Sequence, residues 1–373
     1  MEKRPKSQQI EAPSFSKSIR NALERVHQEE SLDIDVRAAD PLEADSFFKD
    51  SLPQLNKKDS SEEVIKQIRI LIPDAEKIEV YTLVEARAAL RDLGHIAASL
   101  RKKNTAISKV PELEDALLAI GLKINEVPRD TVFSYGPRNP LDERERTFTG
   151  LEAEKLFIRS FREGMSELYA GVDALISAYE AGPESEIWER ECRKATTAFE
   201  RMVEAIRSIR KNLPPETFTY ELRPYFDPIE LEGKTYYAPG GAQMPVLLYD
   251  QLLWGSDSND ESYKAYKEDN IAYSPPAVRE LSASLDGAPS MLTKLLNASN
   301  GGDPEQTRKS AAALLQLSNS LLRFRAPHQK VAADNFALRS EHSLGSGGYT
   351  PEILQRLSDH VQEVRAQIVQ LAN

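Results

Sequence analysis

The residue in this chain best placed by its spacing to do chemistry is His328. Leu314, Leu317, Leu321, Phe324, His328, Val331 and Asn335 step by alternating threes and fours, which sets them on one stripe of a helix. Most of that stripe is apolar and has to face a core, so His328 is an ionisable ring at a buried register. Pro327 just before it removes a backbone N–H and predicts a kink. A loop follows and ends in Gly345-Ser346-Gly347-Gly348, ahead of Thr350-Pro351-Glu352, which reads as an N-cap with proline at the first helical position. A lone histidine on an apolar face is more often a packed core residue than a ligand. The glycine loop tips the balance, because glycines let backbone approach a ligand and successive N–H groups near a helix start attract anions. An imidazole beside such a loop suits a metal-centred cofactor with carboxylate arms, which is to say haem. Nε2 would take the iron, and Nδ1–H would need an acceptor that the sequence does not identify.

Other chemistry-bearing residues are fewer. Arg223 stands between Tyr220, Tyr225 and Phe226, and a guanidinium offers a planar fork of donors matched to a carboxylate; a structural salt bridge is its plain alternative. His95, beside Leu93, Ile96 and Leu100, competes as an iron ligand, but no glycine loop lies near it, so packing or capping is its better reading. His342, shortly before the glycines, reads as a surface residue close enough to act as an acid or base. No Ser-His-Asp order, zincin motif, catalytic carboxylate pair, Gly-x-Gly-x-x-Gly or Walker loop stands out.

Two blocks give the chain a family likeness. Arg323-Phe324-Arg325-Ala326-Pro327-His328-Gln329-Lys330-Val331-Ala332 followed by Gly345-Ser346-Gly347-Gly348-Tyr349 resembles the haem-binding end of the indoleamine/tryptophan 2,3-dioxygenase superfamily. The second block runs FTYELRPYF from Phe218, APGGAQMP from Ala238 and LLWG from Leu252, and looks most like the monodechloroaminopyrrolnitrin synthase branch. The likeness extends from about Glu79 to the C-terminus. It implies non-covalent haem b with His328 as the proximal iron ligand, and Gly345, Gly347 and Gly348 lying over the haem. Arg223 would clamp the amino acid carboxylate. Ser346, where the family often has threonine, would meet the substrate's amino group or a propionate. Phe157 and Ser160 would fall near the distal pocket, with Gly347 beside the substrate. The expected substrate is a small amino acid bearing an indole or other aromatic ring, tryptophan or a 7-chlorotryptophan-like molecule, with O₂ or H₂O₂ as oxidant. The reaction is ring remodelling or, alternatively, 2,3-dioxygenation to N-formylkynurenine. A non-catalytic haem sensor is a further alternative, and a helical interaction protein in which His328 merely packs is the plainest.

Bulk properties narrow the field. With 373 residues there is ample core for one large domain or two smaller ones. The net charge of −11 argues against nucleic acid or anionic membrane as partners. A single cysteine, Cys192, excludes an internal disulfide and a Cys-x-x-Cys-His haem attachment. No apolar run approaches the roughly 20 residues that span a bilayer, and the polar N-terminus lacks a signal-peptide core, so a cytoplasmic location is expected.

The elements that must position these residues read as helices almost throughout, and no strand–helix alternation supports a doubly wound sheet. Residues 1–40 read as a flexible N-terminal arm with one short helix near 16–30. Residues 41–146 read as a small, mostly helical N-terminal domain and 147–373 as a large helical haem domain, an all-α, indoleamine dioxygenase-like arrangement. Within the large domain the pattern predicts one long helix from a Thr149 cap to Ala181, its stripe formed by Leu156, Phe157, Phe161, Met165, Leu168, Val172 and Leu175. Another follows from Glu186 to Lys211. Further helices are expected over 244–254, 260–273 and 276–296, with a last one to about Leu371. Residues 78–83 are a short strand or a helix lead-in, and 231–237 a small hairpin or a loop.

Overall fold

Helical spacing translates into helices along nearly the whole chain. The computed structural model describes residues 12–58, 60–338, 344–345 and 347–372. In the first third lie α1 (Ala12–Ala38), α2 (Leu52–Lys57), α3 (Ser61–Ile68), α4 (Ala75–Val80), α5 (Leu83–Lys102), α6 (Pro111–Ile124) and the single turn α7 (Val132–Tyr135). The middle carries α8 (Glu152–Met165), α9 (Leu168–Ala181), α10 (Glu186–Asn212) and the short α11 (Pro215–Thr217). The last third holds α12 (Val246–Asp250), α13 (Glu261–Ile271), α14 (Pro276–Leu285), α15 (Met291–Ser299), α16 (Pro304–Leu338) and α17 (Pro351–Ala372). The fold is all-α, with one two-stranded hairpin among the described residues.

Several boundaries have visible local causes. Thr82 and Glu85 form a reciprocal capping box at the start of α5. α10 starts at Ser185, whose side chain accepts from Ile187 N–H. The hairpin pairs β1 (Ile229–Leu231) with β2 (Lys234–Tyr236). Its turn, Glu232-Gly233, has φ of 47° and 74°, positive at both positions as a tight two-residue hairpin turn requires. Residues 78–83 contain no strand; α4 ends at Val80 and Thr82 already caps α5.

Three expectations are corrected. The chain from 12 to 38 is not a flexible arm with a short helix but one 27-residue helix, whose Ile19, Ala22, Leu23 and Val26 are buried in the main core; residues 1–11 lie outside the described residues. The helix expected from Thr149 to Ala181 is two helices, α8 and α9, parted at Ser166-Glu167. Both pack on α10, and Gly164 and Gly171 make the approach possible: a Cβ at Gly164 would lie 2.8 Å from Met202 Sδ, and one at Gly171 would lie 3.1 Å from Ala198 Cβ and overlap the Tyr249 hydroxyl of α12. Thr149 is also not the cap, since Glu154 reaches back to accept from the N–H groups of Phe148 (2.7 Å) and Thr149 (2.8 Å). Likewise 276–296 breaks into α14 and α15 at Gly287, where φ is 76°.

The largest core is built by α1, α9, α10 and α12 to α17, with α16 packed between α10 and α17. A second core gathers α2 to α6 and takes Ile229 and Leu231 from the hairpin. A third cluster is rich in aromatic rings and includes Tyr135, Phe148, Tyr225 and Phe226. A buried charge network ties α1 to α5 and to the 126–146 segment. Arg138 pairs with Asp33 at 2.9 Å and with Glu126 at 2.7 Å, and Arg146 pairs with Asp92 at 3.1 Å. No helix among the described residues is long and apolar enough to cross a membrane.

Candidate active site

Helix α16 starts as a core helix and ends as the wall of a cavity. Leu314, Leu317 and Leu321 are fully buried, whereas His328, Val331 and Asn335 on the same stripe are only half-buried. The reason is a space of about 360 Å³ that these residues line with Phe157, Phe161, Met202 and Ile206 from α8 and α10. It falls within the usual range for small-molecule sites of roughly 300–1,000 Å³, and its wall is largely apolar. Phe157 and Phe161 on the α8 stripe are half-buried rather than buried, because α8 turns them towards the same space and not into close-packed core.

His328 stands midway along this wall. Its ring stacks on Phe324, with centroids 5.6 Å apart, and its exposed surface faces the cavity. Burial, assisted by the Arg325 guanidinium, lowers the imidazole to about 4, so the ring is neutral at ordinary pH. Neither ring nitrogen makes a hydrogen bond to a described residue, which leaves both for a ligand or solvent. Behind the ring lies a recess of about 30 Å³ bounded by Asp250, Arg325, Gln329 and Gly241, enough for a water molecule. One turn earlier, Arg325 forms a buried ion pair with Asp250 and donates to the Leu357 carbonyl at 3.1 Å. Gln329 donates to the Leu354 carbonyl at 2.9 Å, so α17 clamps α16 on both sides of the histidine.

Arg223 reaches the cavity from an irregular segment. After α11 the chain makes a π-helical turn over Phe218–Leu222 and a 3₁₀ turn over Arg223–Tyr225. Nη1 donates to Asp227 at 2.7 Å and to the Phe226 carbonyl at 2.5 Å, and Nη2 approaches the Leu344 carbonyl at 3.4 Å. The plain alternative, a structural ion pair, is therefore present, and it also fixes the guanidinium in the cavity wall.

The glycine loop closes over the same end. Gly345 and Gly347 line the cavity. Gly348 instead backs onto Tyr237: at φ 82°, a Cβ there would come within 2.4 Å of the ring. The N–H of Gly345 donates to the Tyr349 carbonyl (2.8 Å) and that of Gly348 to the Gly345 carbonyl (3.0 Å). These two amides hold the loop's own turn, which leaves less of the loop for anion binding than the glycine spacing suggests. Ser346 and His342 lie outside the described residues.

Of the remaining expected site residues, Phe157 and Ser160 do line the cavity, although the Ser160 hydroxyl donates to the Leu156 carbonyl at 2.9 Å. Arg223, His328, Phe157, Ser160, Gly345 and Gly347 thus converge on one space. His95 is elsewhere. It is buried between the Phe148 and Tyr135 rings, and its Nδ1 lies 2.8 Å from the Arg91 carbonyl, a packing position. Tyr349 packs on Tyr266 and donates to Asp269 at 2.9 Å. Residues that the sequence leaves without a role include Gly241, against the His328 ring, and Thr219, Asn335 and Arg210, further polar residues of the wall. Gly241 and Thr219 lie inside the quoted blocks and Asn335 on the quoted stripe, so their signals were present without an assignment.

No group of three or more His, Cys, Asp or Glu residues among the described ones could hold a bare metal ion. A metal at His328 would have to bring its other ligands with it. The family model for monodechloroaminopyrrolnitrin synthase PrnB matches residues 18–370. That span takes in the cavity and every helix that lines it, and the chain belongs to this enzyme family.

Proposed function

We propose that the cavity binds b-type haem through His328 Nε2 and that the enzyme oxygenates or remodels an indole amino acid, tryptophan or a 7-chlorotryptophan-like substrate. The single observation that carries this reading is His328 itself: a neutral imidazole with both nitrogens unbonded among the described residues, in an apolar wall shared with Arg223. The donor set fits the group. One imidazole and a largely apolar, aromatic-lined space suit a metal that arrives in a macrocycle, and Arg210 in the wall suits a carboxylate arm. When bound, the iron supplies activation of O₂ or peroxide.

The chain's own residues do the rest. The Arg325–Asp250 pair fixes α16 against α12, and the bonds of Arg325 and Gln329 to the Leu357 and Leu354 carbonyls fix it against α17, which holds the imidazole in place. The low imidazole basicity keeps a lone pair available instead of a proton. Phe157, Phe161, Phe218 and Phe226 exclude water and offer faces to a flat aromatic substrate. Arg223, oriented by Asp227, binds the substrate carboxylate. Ser346 would contact the ammonium group or a propionate.

The test is reconstitution with haem, followed by mass spectrometry of products from tryptophan and 7-chlorotryptophan under O₂ and under peroxide. A Soret band that His328→Ala abolishes, together with a ring-remodelled product, is expected. N-formylkynurenine would replace remodelling by dioxygenation, and the absence of any Soret band would remove the haem reading.

A further inference from the structure

We infer that Thr219 and Asn335 form a second carboxylate anchor beside Arg223, a role for Asn335 that rests on the haem and substrate reading above. Asn335 lies seven residues after His328 on the cavity face of α16. Thr219 lies four residues before Arg223 on the π-helical turn, almost fully buried, and lines the same space. The Thr219 hydroxyl donates to Asn335 Oδ1 at 2.9 Å. That bond fixes which way the amide points, because it occupies the carbonyl and turns Nδ2 away from Thr219.

The amide nitrogen then presents two N–H donors that no described residue accepts. The same wall carries two guanidinium groups, Arg223 one turn from Thr219 and Arg210, among mainly apolar residues such as Phe218 and Phe336. The one carboxylate in the wall among the described residues, Asp334, is held by Lys330 at 2.5 Å. Donors without acceptors, next to a guanidinium, match a ligand that offers only acceptors and carries negative charge. A carboxylate meets both conditions. Two sources carry it, the amino acid substrate and the propionate arms of haem, and one pair of titrations separates them.

Asn335→Leu, Asn335→Asp and Thr219→Val are compared with the parent protein. In one arm, tryptophan and tryptamine are titrated calorimetrically into haem-loaded protein. In the other, haem and its dimethyl ester are titrated into haem-free protein and followed by the Soret band. The expected result is at least a tenfold loss for the carboxylate-bearing partner in Asn335→Asp and a several-fold loss in Asn335→Leu and Thr219→Val. The decarboxylated or esterified twin should be unaffected, and melting temperatures unchanged. A loss confined to tryptophan identifies the substrate carboxylate, and one confined to haem identifies a propionate. If the variants keep both preferences while Arg223→Met loses that for tryptophan over tryptamine, the amide anchor is wrong and the underlying reading stands. Tighter binding in Asn335→Asp means that the amide carbonyl faces the cavity, which overturns the inference. No Soret band in the parent protein overturns both.

Discussion

Gly241 stands against the edge of the His328 ring: a Cβ at position 241 would lie 3.4 Å from Cε1 and 3.6 Å from Nε2. The backbone of the Gly240-Gly241 turn therefore sets how much of the imidazole edge the cavity can use. Gly241 has no positive φ, and a single Cβ there would meet the ring at ordinary van der Waals distance, so it takes a branched side chain to crowd the imidazole. Gly241→Val should leave the melting temperature of haem-free protein nearly unchanged while lowering haem affinity about tenfold or more, on the order of 1.4 kcal/mol. Soret titration reads this directly. Unaltered affinity would place the porphyrin away from this edge of the ring.

The Asp250–Arg325 pair behind the histidine should be far more sensitive to loss of one partner than of both. Asp250 is raised by burial, an effect partly offset by Arg325, and both side chains are nearly inaccessible. Asp250→Ala strands a buried guanidinium and should cost about 3–5 kcal/mol. Asp250→Leu combined with Arg325→Met should recover much of that. Urea unfolding of the two variants makes the comparison. Equal destabilisation would show that the residues act separately and do not lock α16 to α12 as a pair.

The same helices show what a sequence can and cannot reveal. Periodicity was sufficient for α16, α10 and α17, because their apolar stripes run long without interruption and end at recognisable caps and breakers. It was insufficient for α1, where Ile19, Leu23 and Val26 are spaced for a helix but diluted by charged neighbours whose partners lie far off, Arg20 with Asp173 and Glu180 for instance. The stripe of α8 continues in register into α9, so nothing local marks Ser166-Glu167 as a break; the crossing of α10 does. Convergence of Arg223 and His328 on one cavity is what the family blocks imply, and the place of Phe157 rests on a looser likeness along α8. The Asp227 partner of Arg223 and the Thr219–Asn335 bond did not, since both depend on how a π-helical turn meets the end of α16.

Gly348 should be the least replaceable glycine of the loop. At φ 82° an L side chain is strained by roughly 1–2 kcal/mol, and the Tyr237 ring blocks the space. Gly348→Ala should shift the loop, weaken tryptophan binding several-fold in haem-loaded protein, and hardly alter global stability because the loop is peripheral to the cores. Tyr237→Ala in the same chain should restore part of the affinity by removing the clash. A double-mutant cycle measured by calorimetry gives the coupling. A coupling of zero would mean that the loop moves independently of Tyr237.

Acid stability should carry the signature of Asp92. Burial by itself would raise this carboxyl, but Arg91 and Arg146 outweigh it and hold it at about 2, below the ordinary carboxylate value near ~3.9. A carboxylate depressed in the folded state binds its proton more readily when unfolded. Its contribution is therefore complete above about pH 4 and lost as the pH falls towards about 2, by an amount on the order of 2 kcal/mol. Asp92→Asn should be less stable than the parent at neutral pH, because Arg91 and Arg146 lose a buried anion, and the gap should narrow through that window. The difference between the two urea-unfolding curves, taken at several pH values, isolates this group from the other acids of the network. Parallel curves from pH 5 to pH 2 would mean that Asp92 binds its proton equally well in the folded and unfolded protein and that the junction of α5 with the 126–146 segment is held by the other ion pairs.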